Sequence, residues 1–176
     1  MIILGIDPGS RKTGFAILEL QQRKVRYIDS GILRFDKIDD FIDRVDEIYS
    51  QCEELVTKYS PDEIAIESLI FAKNPSSLIK LAQARGAMLA AFLKTHKNRL
   101  YEYSPNVVKS SATGYGHAKK ENVKKFIDIF LGAREYKSFD ETDAIAVAIC
   151  HTMNRTSLTN KRLHSDRISQ RKDLQL

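Results

Sequence analysis

The stretch Ile2-Ile3-Leu4-Gly5-Ile6-Asp7-Pro8-Gly9 constrains the fold more than any other part of the chain. A short continuous apolar run bounded by turn residues predicts a strand buried on both faces. Pro8 has no N–H to extend a ladder, so the strand stops at Asp7 and presents a carboxylate at its end. In open α/β sheets, the ends of central strands are where ligands and chemistry collect. After the turn, Thr13–Leu18 resumes as a second strand of a hairpin, with Gly9 and Gly14 in the loop. Beyond Gln21-Gln22-Arg23, Lys24–Leu33 reads as a third antiparallel strand.

The period then changes. Phe41, Val45, Ile48, Tyr49, Cys52, Leu55 and Val56 fall on one helical stripe, with Asp39 or Asp40 as N-cap and Ser60-Pro61 as the stop. Glu63–Glu67 is a short strand with a second carboxylate at its far end. A loop over 68–75 leads into a helix to about Lys94, and Arg99–Tyr103 is a fifth strand. Ser104-Pro105 opens a short helix, Val123–Leu131 is amphipathic, and a last helix runs from near Asp140 to about Asn154. The order βββ-α-β-α-β-α-α-α predicts an α/β fold, a mixed five-stranded sheet flanked by helices on both faces.

Residues 1–154 are expected to form one domain, with 155–176 a basic, flexible C-terminal tail. Of the net +5 charge, the tail holds six Lys/Arg against two Asp/Glu, so the rest is nearly neutral. Such a tail suits either a polyanion or plain solvation. No membrane span and no cleavable signal is expected, and Cys52 and Cys150 lack metal or redox spacing, which points to buried free thiols in the cytoplasm.

Asp140 and Asp143 stand three apart at a helix start and share a face. Alone they read as caps and dipole compensation, with Glu141 as a spare acid. Asp7 and Glu67 change that reading, because the topology makes their strands neighbours. Four carboxylates within ~5 Å of one another would repel by about 3 kcal/mol per pair at an effective dielectric of ~20. Such a cluster stays ionised only with cations beside it. All-oxygen ligation points to Mg2+ or Mn2+, and two such ions support in-line phosphodiester hydrolysis.

At this point the chain resembles the RuvC family of Holliday-junction resolvases, of the ribonuclease-H-like fold. The likeness rests on Gly5-Ile6-Asp7-Pro8-Gly9-Ser10-Arg11-Lys12-Thr13-Gly14, Ala65-Ile66-Glu67 with Ala72-Lys73-Asn74, Leu81-Ala82-Gln83-Ala84-Arg85-Gly86, and Asp140-Glu141-Thr142-Asp143-Ala144 through His151. It implies that Asp7, Glu67, Asp140 and Asp143 hold two Mg2+ ions per site, with Mn2+ as substitute. It implies that Lys109 and Lys120 lie near the scissile phosphate, with Lys119 on the same positive surface, although a lysine run on a helix is as often a solvated face. The loop after the glutamate, Ile70, Phe71, Lys73 and Asn74, would meet DNA. The family's base-stacking phenylalanine falls at Ile70, and the adjacent Phe71 is the aromatic that would take over the wedge. The alternative is that Ile70 and Phe71 pack under the loop.

The resemblance implies resolution of four-way DNA junctions by paired symmetric nicks. A junction needs two cuts, so a C2 homodimer is expected, through the almost uncharged helix Ser76–Lys94. Further partners implied are a branch-migration motor and its junction-binding subunit, of the RuvB and RuvA types. Other readings are a nuclease of the same fold acting on RNA/DNA hybrids, a phosphate-binding domain of an actin-like ATPase, and a junction-binding module without catalysis. The 176 residues leave no room for the duplicated domain that the ATPase needs.

Overall fold

Five strands form one mixed sheet in the order β3-β2-β1-β4-β5. They are β1 (Ile2–Asp7), β2 (Lys12–Gln21), β3 (Lys24–Arg34), β4 (Glu63–Glu67) and β5 (Leu100–Tyr103). The computed structural model describes residues 1–69 and 74–172, with side chains described through Arg155. The β1–β2 and β2–β3 pairs are antiparallel, whereas β1–β4 and β4–β5 are parallel. Ile6 pairs with Ile66, so Asp7 and Glu67 leave adjacent strands at the same end.

Strand periodicity decides which face each residue serves. Leu4, Ile6, Ile17, Ile64 and Ile66 are buried toward α1 (Phe41–Tyr59) and α2 (Pro75–His96). Ile3, Ala16, Leu18 and Ala65 face the opposite layer, α3 (Pro105–Thr113), α4 (Lys120–Leu131) and α5 (Phe139–Lys172). Asp7 and Glu67 share parity with this second set, so both carboxylates look toward α5.

Local chemistry accounts for the helix ends. Asp40 caps α1 by accepting from the backbone N–H groups of Ile42 and Asp43, and Ser60, with φ 44°, ends it in the left-handed region. Asn74 Oδ1 accepts from Ser77 N, and Ser104 Oγ accepts from Val107 N, each ahead of a proline at the helix start. The last helix differs from the sequence expectation. α5 passes Asn154 and continues to Lys172, a span with neither glycine nor proline to stop it. Cys52 and Cys150 are buried and free. Among the described residues, no helix is long and apolar enough to cross a membrane.

Two glycines let α5 lie against the sheet. A Cβ on Gly5 would meet the Ala144 carbonyl oxygen at 2.5 Å and Ala148 Cβ at 2.7 Å. A Cβ on Gly14 would sit 1.9 Å from the Asp140 carbonyl oxygen. The small residues Ala144 and Ala148 complete this close approach, which carries the start of α5 to the ends of β1 and β4.

At the other end of the same contact lies a buried polar network. His151, fully buried, bonds Glu63 Oε2 through Nε2 and the Tyr103 hydroxyl through Nδ1, both at 2.8 Å. Arg155 donates to both Glu63 oxygens, at 2.8 and 3.2 Å. Burial alone would raise the Glu63 carboxyl, but the hydrogen bonds from His151 and Arg155 outweigh it and hold the group at about 2. His151 is thus a structural partner.

The sign of the pH effect follows. The folded value lies below the ordinary 4.5, so the stabilisation is complete above the unfolded pKa and is lost as the pH falls toward 2. Its size is on the order of 3 kcal/mol. Glu63→Gln should lower the melting temperature at pH 7 and flatten the loss of stability between pH 4.5 and 2, as read by thermal melts across that range. An unchanged acid profile would show that the carboxylate does not carry the effect.

Candidate active site

Asp7 ends β1 because Pro8 breaks the ladder, and Glu67 ends β4 one strand away. Asp140 lies in the first turn of α5 and Asp143 three residues on, with the helix start held close by Gly14. The electrostatics record the meeting of the four. Burial raises the Asp7 carboxyl well above the ordinary value, and the charges of Glu67, Asp143 and Asp140 and a hydrogen bond with Glu67 push it further. Glu67 is also raised, chiefly by burial. The bond with Asp7 opposes this, Asp143 adds to it, and Lys120 and Lys109 oppose it. A buried acid raised by three further negative charges is a site built for positive charge.

Lys120 answers part of that field. Its Nζ stands 2.5 Å from Asp143 Oδ2 and 5.7 Å from the Phe139 ring centroid. Desolvation would lower this ammonium, but the Asp143 bond and the charges of Asp143, Asp7 and Asp140 raise it. Lys109, on α3, joins Lys120, Glu67 and Asp143 around a cavity of about 270 Å³ with an apolar floor that includes Val108 and Val123. All six residues expected to carry catalysis therefore converge. Among the described residues, no group of three or more acid, histidine or cysteine side chains is placed to hold a metal ion. The carboxylates are gathered but open, with Asp143 turned to Lys120.

The remaining expectations divide. Lys119 is exposed at the N-cap position of α4, where it makes no capping bond. Asn74 spends its side-chain oxygen on the cap of α2. Ile70, Phe71 and Lys73 lie outside the described residues. On α2, Ile79, Ala82, Gln83, Gly86, Ala90 and Leu93 form an exposed, uncharged stripe. Nothing lies within 4 Å of a Cβ placed on Gly86.

Two contributors were not visible as such in the sequence. Arg85, its side chain 12% exposed, donates to the Glu67 carbonyl oxygen at 3.3 Å and pairs with Glu102 at 2.5 Å, fastening the end of β4. Glu141 is buried rather than a spare surface acid. It stands three, four and seven residues before Ala144, Ile145 and Ala148. A charged residue on that core-facing stripe was the available signal.

Fold and site together define an α/β protein of the ribonuclease-H-like type with a carboxylate centre at the ends of its central strands. The chain belongs to the RuvC family: the family model described as crossover junction endodeoxyribonuclease RuvC matches residues 3–151. A relative of that name from Legionella pneumophila is 42% identical over 159 residues, covering 90% of each chain. Another, from Citrifermentans bemidjiense, is 40% identical over 86% of this chain and 92% of its own. Thermus thermophilus RuvC superposes with a TM-score of 0.79 at 27% identity, covering 89% of this chain and 96% of that one. The T. thermophilus RuvC bound to a Holliday junction substrate gives 0.77 at 28% identity, over 86% and 92%.

Proposed function

We propose that this chain is a structure-selective endonuclease that resolves four-way DNA junctions by paired symmetric nicks, in recombination and repair. The observation that carries the reading is the field at Asp7, where three acids converge on a buried fourth with two lysines at the rim. Its family kinship supplies the substrate class.

The donor set is all carboxylate oxygen, and Asp143 already takes a cation in the form of Lys120. That chemistry fits a hard divalent ion, Mg2+ with Mn2+ as substitute, two per site, held by Asp7, Glu67, Asp140 and Asp143. When bound, such ions supply an activated water and neutralise charge on the phosphoryl oxygens. Lys120 and Lys109 place ammonium groups where the non-bridging phosphate oxygens lie beside the acids, and they stabilise the negative charge that develops as the P–O bond breaks. The Phe139 ring, 5.7 Å from Lys120 Nζ, adds a cation–π contact that helps hold the ammonium beside the acids. Arg85 and the Gly14 contact hold Glu67 and Asp140 in place against mutual repulsion.

The exposed stripe of α2 is proposed as the C2 interface that presents two sites to one junction. The segment Ile70, Phe71, Lys73 is the proposed contact to the junction's unpaired bases. Residues 1–154 form the nuclease domain in this reading, the branch-migration motor and junction-binding subunit are its partners, and the free buried thiols suit the cytoplasm.

The test is a substrate panel of a mobile four-way junction, linear duplex and RNA/DNA hybrid, in Mg2+ and in EDTA. Symmetric nicks in the junction alone, absent in EDTA, are expected. Cleavage of the hybrid instead would overturn the substrate. Lys120→Met should lower single-turnover cleavage about 10²-fold while leaving junction affinity nearly intact. Equal losses in binding and rate would reduce Lys120 to a general phosphate contact.

A further inference from the structure

Glu141 lies between two acids of the site yet faces the other way. Only 4% of it is exposed, and both its oxygens are engaged within the fold. Ser30 Oγ, on β3, donates to Oε1 at 2.6 Å, and the Lys137 backbone N–H donates to Oε2 at 2.6 Å. Ser30 has one hydroxyl proton and gives it to Glu141. The Tyr27 hydroxyl, 2.9 Å from Ser30 Oγ, is therefore the donor of the next bond out. The chain Tyr27–Ser30–Glu141 thus runs from the far edge of the sheet to the first turn of α5. That turn carries Asp140 and leads directly into Asp143; both charges bear on Asp7 and Asp143 bears on Glu67, so the start of α5 would swing outward if it were free.

We infer that Glu141 is a positioning residue: its clamp on Ser30 and Lys137 N fixes the first turn of α5 and so the spacing of Asp140 and Asp143 from Asp7 and Glu67. The inference rests on the metal role proposed above for Asp140 and Asp143. Gly14 sets how near the turn approaches the sheet, and the Glu141 clamp sets its rotation, because Ser30 holds it from one side. A charged group that reaches no solvent and bonds two separate segments does more than compensate a helix dipole, for which Asp140 already stands in place.

The experiment compares Glu141→Ala, Ser30→Ala, Glu141→Gln and Asp143→Asn by Mn2+ binding, read from the electron paramagnetic resonance of the free ion. Junction cleavage across a Mg2+ series and junction binding in EDTA are measured beside it. Loss of a residue that orients ligands costs about 10–100-fold in metal affinity, and Glu141→Ala should fall in that range with junction binding in EDTA unchanged. Ser30→Ala removes one hydroxyl and should show a smaller loss in the same direction. It carries the test if Glu141→Ala does not fold. Glu141→Gln, which can accept from Lys137 N and donate to Ser30, should recover most of the affinity. If Asp143→Asn loses the ion while Glu141→Ala, or Ser30→Ala in its place, binds Mn2+ within about twofold of wild type, the clamp is refuted and the metal site stands. If Asp143→Asn keeps both Mn2+ and cleavage, the metal reading fails and the inference fails with it.

Discussion

Asp7→Asn should reduce junction cleavage by at least about 10²–10³-fold while leaving junction binding intact. The side chain keeps its shape and loses the charge on which the other three acids converge, so an intact DNA surface would hold a centre that cannot gather cations. A second effect with the opposite sign should accompany it. Burial, Glu67, Asp143 and Asp140 all raise the Asp7 carboxyl. A group whose folded value lies above its unfolded value loses stability as the pH rises between the two, so the ionised carboxylate opposes folding at neutral pH. Asparagine resembles the protonated acid. Asp7→Asn should therefore melt above wild type in EDTA at pH 7, and should gain less than wild type when Mn2+ is added. A variant that melts lower in EDTA, or that still nicks junctions, would show that Asp7 is not the focus of the cluster. This exchange of stability for function is the usual cost of an active site made from like charges.

Much of this site was legible because strand ends and strand order can be read from residue type. Pro8 marked where β1 stops, Glu63–Glu67 was bounded by its own charges, and the predicted topology made the strands that end in Asp7 and Glu67 neighbours. The pair on α5 shared a face by its spacing, which alone read as capping, and Asp7 and Glu67 made it part of a site. What could not be read depends on contacts across long separations. Glu63, His151, Tyr103 and Arg155 form one network from three elements and resemble four unrelated polar residues in the sequence. Glu141 looked like a spare acid because its partner Ser30 lies 111 residues away. α5 runs past the point where the charge pattern changes because Lys, Arg, Gln and Ser are all tolerated in a helix, so a change in charge does not mark a helix end. Lys120 was placed at the site through family resemblance, and its pairing with Asp143 rather than with solvent emerged from the packing of α4 against α5.

Gly14→Ala should be a severely damaging single-methyl change, and one that acts on the site itself. Its Cβ would stand 1.9 Å from the Asp140 carbonyl oxygen and 2.5 Å from the Asp140 carbonyl carbon. Ordinary contact needs about 3.5 Å, so the start of α5 must retreat by more than ~1 Å. No flexible side chain can yield instead, because the obstruction is backbone inside the first helical turn. Overpacking of this kind costs about 1–3 kcal/mol, and a misplacement of ~1 Å at the reacting groups costs about 10²-fold in rate. The two consequences can be separated. Ile48 is fully buried on the opposite face of the sheet, among residues of α1 and α2. Ile48→Ala should lose about 2–5 kcal/mol by leaving a cavity, yet cleave normally at temperatures where it is folded. Gly14→Ala should lose less stability and far more activity, with its required Mg2+ concentration raised because Asp140 and Asp143 have moved away from Asp7 and Glu67. Cleavage rates and melting curves for the two variants side by side decide the matter. If activity follows melting temperature in both, the glycine serves only the packing of the fold. If Gly14→Ala is folded, binds junctions and does not cut, the distance between α5 and the sheet is itself a catalytic parameter, set where two strands and a helix can meet only without a side chain.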